Sequence, residues 1–391
     1  MVAPRHRVLG LYATWNALMQ FEWLRLAPVT DSAAAQYGVS ESSIGFLSLL
    51  FPLLFLPLAL PTGLLIDRLS LRTLLRLAAA AMSLAAALRI LSPSFNLLLA
   101  GQIAFAIAQP LVVSLISKLV MVWYPENERL GATSIGTIGL LLGTGLAMAV
   151  VPRIGSIPIA QSMIGDTALM MLLSVVTFLV VPADPSVAGG DDNGRWFEQI
   201  GSLIRDRGYL LLLSLVFIGN GYASAIFTWL EPMLEPQNIS AQEASLIGLL
   251  ILGGGVLGMG LAPRIPRIYE RLQPLLLILL PLAAGLTLLL VARLPFAALC
   301  IVATVLGACV QGPLPLIVEL VNETAGTERA GTAASGFWMA ANAGAAVLIA
   351  TLSGLADAGH WTLGATALAV SLLIEAALAI TFVRHRQRRS T

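Results

Sequence analysis

"GLLIDRLSLRTLLR", residues 63–76, interrupts one apolar run that begins near residue 42 and opens a second that ends near residue 91. It places Asp67, Arg68, Arg72 and Arg76 within ten residues of a chain that is only 11% charged. A charged side chain at the centre of a bilayer costs about 2.5–3.5 kcal/mol on insertion scales. A cluster of four therefore marks a turn in water between two membrane crossings. Gly63 lets two helices approach closely. Asp67 is placed to meet the N-terminal dipole of a neighbouring helix. Arg68 and Arg72 are placed to latch loops of the opposite half of the chain and close the cytoplasmic side.

Outward from this turn, the same alternation covers the whole chain. Its 391 residues are 58% hydrophobic, with a mean hydropathy of +0.88, where a soluble protein would carry about a quarter charged residues. The apolar residues fall in blocks of about 20, the length that crosses a bilayer as a helix. Twelve spans are predicted: 8–28, 42–66, 72–91, 96–120, 131–151, 162–182, 208–230, 243–262, 273–291, 295–320, 330–353 and 362–383. The longest polar interruption contains "ADPSVAGGDDNGRW" and reads as a linker. It gives an N-terminal six-helix bundle over 1–182, a linker over 183–207 and a C-terminal bundle over 208–391. An even span count puts both termini on one side. That side carries 18 of the 22 lysines and arginines, the exceptions being Arg25, Arg89, Arg153 and Arg293. The positive-inside rule makes it the cytoplasm, for a multi-pass protein of the plasma (inner) membrane. No small-residue cleavage site follows the first apolar run, so an uncleaved first span is expected.

The two halves repeat. "ERLGATS" at Glu128 returns as "ERAGTAAS" at Glu328, the "AQP" of Gln109 as the "QGP" of Gln311, and "FEWL" at Phe21 as "FTWL" at Phe227. Span 1 thus corresponds to span 7 and span 4 to span 10, with Trp23 matching Trp229. Two parallel six-helix halves related by an axis along the membrane normal resemble the major facilitator superfamily, and Gly63, Asp67, Arg68 and Arg72 match its G-x-x-x-D-R-x-x-x-R loop signature. The resemblance implies an all-α membrane protein of twelve transmembrane helices in two pseudo-symmetric bundles. It also implies a central cavity lined by spans 1, 4, 7 and 10, and alternating access gated by this loop.

A closer resemblance lies in "GQIAFAIAQP", "SKLVMVWYPENERLGATS" and "PLPLIVELVNETAGTERAGTAASG". These are similar to the feline leukaemia virus subgroup C receptor-related family, transporters linked first to haem and later to choline and ethanolamine. By that resemblance Trp23 falls on the family's cage tryptophan and Gln109 on a cavity glutamine of span 4. Asn342 falls where the relatives have a span 11 glutamine. Ser224 stands at the position of their span 7 tyrosine, with Tyr222 and Trp229 near it.

The residues themselves support an organic-cation site. A tryptophan face beside a carboxylate suits a cation, each cation–π contact contributing about 0.5–2 kcal/mol. Trp23, Gln109, Tyr222, Trp229, Gln311 and Asn342 are the candidate substrate residues. Glu22 and Glu231, which flank the two tryptophans, are candidates for charge balance or proton coupling. Belt tryptophans at the membrane interface and asparagines or glutamines acting as interhelical glue are the alternatives. Arg25 either pairs with Glu22 or snorkels to the outer surface. Glu319 and Glu323 are expected to pair with loop arginines, and Glu375 in span 12 to serve helix packing.

Other chemistries find no support in the residues. The single lysine, Lys118, follows no glycine, which excludes a phosphate-binding loop. The three histidines lie in tails or a loop, and no metal-ligand cluster or nucleophile motif is present. Cys300 and Cys309 are separated by a rise of about 13 Å on one helix, too far for a disulfide. No cofactor, metal or nucleic-acid partner is expected. The expected partners are a small-molecule substrate and the lipid bilayer, with a proton if transport is coupled and none if the protein is a uniporter, which is equally open, and the expected state is a monomer. The reading is a non-enzymatic transporter of a small organic solute, an amine such as choline. A proton-coupled multidrug exporter and a non-transporting receptor or scaffold are the alternatives.

Overall fold

The computed structural model describes residues 4–90, 94–154, 158–183, 196–265, 272–357 and 361–390. Among these the regular structure is entirely helical: α1 (Pro4–Leu24), α2 (Thr30–Tyr37), α3 (Glu41–Arg68), α4 (Leu71–Ile90), α5 (Phe95–Trp123), α6 (Glu126–Val150), α7 (Ile159–Ser162), α8 (Ile164–Val180), α9 (Trp196–Arg205), α10 (Arg207–Leu234), α11 (Ala241–Leu261), α12 (Leu272–Leu290), α13 (Phe296–Gln311), α14 (Leu314–Ala325), α15 (Ala330–Asp357) and α16 (Trp361–Ser390), with short 3-10 turns between some of them. Ten described stretches are long and apolar enough to cross a membrane. Two of these, Ile159–Val180 and Phe296–Ala325, each join two helices. α1 and α12 occupy the places of spans 1 and 9. α12 is apolar over Leu275–Leu290, and α1 is diluted by Asn16, Gln20 and Glu22. Of the expected linker, residues 184–195 lie outside the described residues, and Trp196–Arg205 is a helix with Leu203 buried and Ile204 exposed.

The chain forms two compact units, residues 1–196 with 327–338, and residues 197–326 with 339–391. In the first, α5 is central: 83% of its apolar window is buried. Its counterpart in the second, Phe296–Ala325, is broken at Gly312–Pro313 into α13 and α14. Proline lacks the donor that a continuous helix needs.

The duplication is also present in contacts. Asn16 Nδ2 on α1 donates to Gly136 O on α6 at 3.0 Å, and Asn220 Nδ2 on α10 donates to Ala341 O on α15 at 2.9 Å. A Cβ on Gly139 would lie 2.6 Å from Ala13 O, and one on Gly344 1.9 Å from Phe217 O, so glycine is required at both crossings. The entries to α3 and α11 also match. Gly38 (φ 63°) and Asn238 (φ 61°) are left-handed, and two residues later Ser40 and Ser240 cap their helices by accepting from Ser43 N and Glu243 N. Glu243 completes a capping box with Ser240.

Candidate functional site

The loop 63–76 is built in the first unit as a junction of three helices. An added Cβ on Gly63 would sit 2.7 Å from Thr332 Cα and 2.9 Å from Gly331 O, so this side chain must be absent for α3 to meet the start of α15. Asp67 then accepts from Gly331 N at 2.6 Å, Thr332 N at 2.9 Å and Thr332 Oγ1 at 2.6 Å. A carboxylate on the free N–H groups of a helix start is favoured by both hydrogen bonding and the helix dipole. From the other side Lys118 Nζ donates to Ile66 O and Leu69 O, each at 2.5 Å, and to Asp67 O at 3.3 Å. The single lysine thus satisfies carbonyls at the end of α3, where a cation is favoured. Sequence reasoning used Lys118 only to exclude a phosphate loop. Arg68 is exposed and Arg72 half-buried.

Nearby, Tyr124 Oη donates to Arg5 O at 3.0 Å and lies 3.2 Å from His6 Nδ1, while Arg5 pairs with Glu128 at 3.0 Å. Burial pushes the Tyr124 phenol up to about 12, so it remains a neutral donor at physiological pH. The first repeat of the "ER" motif, at Glu128, thereby fixes the start of α1.

At the other end of α1, Glu22 is 2% exposed and its Oε2 accepts from Arg89 Nη1 of α4 at 2.6 Å. Arg25 is 1% exposed, pairs with Asp166 of α8 and donates to Ser162 Oγ at 3.0 Å. This corrects both expectations for Arg25: it neither pairs with Glu22 nor snorkels. With two buried cations and two carboxylates available, each arginine takes the acid on the helix it faces. Arg89 also lies over the Phe105 ring at 5.2 Å. Sequence reasoning did not identify Arg89 and Asp166 as the partners of Glu22 and Arg25. A signal existed, because Arg25 and Arg89 are two of the four exceptions to the charge asymmetry.

The aromatic candidates differ between the halves. Trp23 is half-buried, donates from Nε1 to Ser48 O at 2.8 Å and stacks on Phe51 at 5.9 Å. Trp229 lies 6.1 Å from Trp361, with its Nε1 buried and unpartnered among the described residues. Glu231 is exposed. Gln109 is buried beside Pro110 in α5, and its Oε1 has no hydrogen-bond partner among the described residues. In the second unit Tyr222 and Gln311 come together with Phe227 around a cavity of about 10 Å³, roughly the space of one water. The Tyr222 hydroxyl is 2.5 Å from Thr287 Oγ1. Gln311 sits at the broken end of α13, and Asn342 is half-buried on α15.

Asn16 and Asn220 hold α1 to α6 and α10 to α15, the interhelical role given above as the alternative for buried asparagines. Glu323 pairs with Arg386 on α16 at 2.9 Å, and buried Glu319 accepts from Asn322 Nδ2 at 3.2 Å. An arginine at the end of α16 is thus one partner of Glu323.

Comparison with known proteins agrees with this architecture. The chain is 26% identical over 277 residues to the human choline/ethanolamine transporter FLVCR2, covering 65% of this chain and 53% of that protein. It is 28% identical over 276 residues to solute carrier family 49 member A3 of Xenopus tropicalis, covering 64% and 56%. The matched region thus spans about half the length of these curated relatives. Among solved structures, FucP in its outward conformation superimposes with a TM-score of 0.78 at 13% identity, covering 97% of this chain and 99% of FucP. The family model described as Major Facilitator Superfamily matches residues 10–348, most of the chain. With the duplicated six-helix pattern already in its contacts, this chain belongs to the Major Facilitator Superfamily of membrane transporters.

Proposed function

We propose that this transporter carries a small organic cation of the choline or ethanolamine type by alternating access, as a monomer in the inner membrane with both termini cytoplasmic. The observation that carries the reading is Trp23. It stands where the choline/ethanolamine relatives' resemblance places a cage aromatic, and its indole is held by Ser48 and Phe51 rather than left mobile. Orienting an aromatic face in advance lowers the entropic cost of binding a cation. Gln109, with an unspent carbonyl oxygen in the core of α5, is assigned to orient the substrate, with Asn342, Gln311, Tyr222 and Trp229 contributing from the second half. Glu22, already neutralised by Arg89, is assigned to charge balance within the first bundle, and exposed Glu231 to attraction of cations at the mouth. The loop of Gly63, Asp67, Arg68 and Arg72 is assigned to gating, and the bundles to residues 1–182 and 208–391 with 183–207 as the linker.

The test is uptake of radiolabelled choline into proteoliposomes by the native protein and by Trp23→Ala. Saturable uptake that falls at least tenfold in the variant, about the loss of 1.4 kcal/mol in one cation–π contact, supports the aromatic cage. Absence of choline uptake by folded native protein overturns the substrate assignment.

A further inference from the structure

Glu375 lies in the middle of α16, 5% exposed. Its Oε2 is buried with no hydrogen-bond partner among the described residues. The carboxyl rests on α10 where a side chain is missing: a Cβ on Gly219 would lie 2.9 Å from Oε1 and 3.3 Å from Oε2. Helix packing alone explains a small or apolar residue here, but not a carboxyl.

Among the described residues, the helices packed around Glu375 offer no counter-charge near it. α16 packs on α10 and α12. In α12 no ionisable residue occurs from Leu272 to Leu290. In α10 the nearest titratable group is Tyr222, whose hydroxyl is engaged with Thr287. Arg207 and Glu231 are each twelve residues from Gly219, a rise of about 18 Å. On α16 itself the next charge is Arg384, about 13 Å along the helix. Asn220 beside Gly219 is committed to Ala341 O on α15, whose only charged residue is Asp357 at its far end. A carboxylate buried without partner or water is costly, and the neutral acid is its inexpensive form.

The contact also has a position that matters. Gly219, Asn220, Gly221 and Tyr222 are consecutive on α10 and join four helices: Gly219 meets α16, Asn220 and Gly221 meet α15, and Tyr222 meets α12. Ionising Glu375 would require a polar partner or water at this joint, so its charge state acts on the helix that carries Tyr222 and Trp229.

We propose that Glu375 is a proton-binding site of this transporter, taking up and releasing a proton at the α10–α16 contact as α10 moves. The proposal rests on the transport reading of the chain and not on the identity of its substrate. The direct test is infrared spectroscopy of the purified protein in lipid, titrated between about pH 5 and pH 9, the range in which buried glutamic acids have been found to titrate. A carboxylic C=O band of an apolar environment that titrates in this range, is lost in Glu375→Gln and persists at a shifted frequency in Glu375→Asp supports the site. A band that is absent, unchanged over the whole range, or retained in folded Glu375→Gln overturns it. If Glu375→Gln does not fold, the band's shift or constancy in Glu375→Asp decides the assignment in the same way. Choline uptake with an imposed pH gradient is measured in parallel. Loss of the gradient response in Glu375→Gln, with choline exchange retained, adds coupling to the site. No choline uptake by native protein with the titrating band present overturns the substrate assignment and leaves the proton site standing.

Discussion

At the scale of single residues, the first bundle keeps charge in its interior by pairing it. Glu22 and Arg89 are almost fully buried and 2.6 Å apart. Removing one member of such a pair leaves an uncompensated buried charge, which destabilises by about 3–5 kcal/mol. Glu22→Gln and Arg89→Met are each expected to lose this much, and the double variant Glu22→Gln/Arg89→Met less than the sum; thermal unfolding in detergent compares them. Asp67 acts differently, because its oxygens receive the two N–H groups and the hydroxyl at the start of α15. Asp67→Asn keeps the shape but surrenders the charge that the helix start favours. It is expected to leave the protein folded in size-exclusion chromatography while lowering turnover at least tenfold. Asp67 and its role toward a helix dipole were legible in the sequence, since the loop signature and the break in hydropathy coincide. The partners of Glu22 and Arg25 were not, because charge pattern gives depth in the membrane and not which neighbouring helix a long side chain reaches.

At the scale of elements, the crossings of α1 with α6 and of α10 with α15 are one design used twice, with glycine against a carbonyl and asparagine donating to a carbonyl. Over-filling such a contact typically costs about 1–3 kcal/mol. Gly344→Ala is expected to destabilise more than Gly139→Ala, since the new Cβ would stand 1.9 Å from backbone oxygen in one case and 2.6 Å in the other; melting temperatures of the two variants check the order. The duplication was visible in the sequence where it preserves a side chain, as at Trp23 and Trp229 or Gln109 and Gln311. It was hidden where only backbone conformation is preserved. Gly38 and Asn238 share a left-handed φ but no side-chain chemistry. The break after Gln311 was not read from the sequence, which gave one span over 295–320, although Gly312–Pro313 marks it. At Gln109–Pro110 the expected single span holds, because α5 stays helical through Pro110.

At the scale of the whole molecule, the membrane fold follows from quantities that survive the loss of local detail. The distribution of arginine and lysine is summed over the chain, so an error of a few residues at any helix end leaves it intact. Helix ends did shift, with α1 stopping at Leu24 before the Ala27–Val29 turn and span 10 dividing in two. Neither change alters the side to which the sequence pattern assigns any basic residue. The candidate site lacks this protection. It depends on which side chains several helices present together, and the small cavity at Tyr222, Phe227 and Gln311 had no sequence signature. The topology therefore supports the firmest prediction at this scale. With Cys300 and Cys309 replaced by alanine, single cysteines at Ser202 and Gln387 are expected to react with a membrane-impermeant maleimide only after the membrane is opened. Cysteines at Gln161 and Asn238 are expected to react in intact cells. Reaction of the first pair in intact cells would place the charge-rich turns outside and overturn the cytoplasmic assignment of the termini. Mixed results within either pair would instead overturn the count of crossings between those positions, since each additional or missing span inverts every segment that follows it.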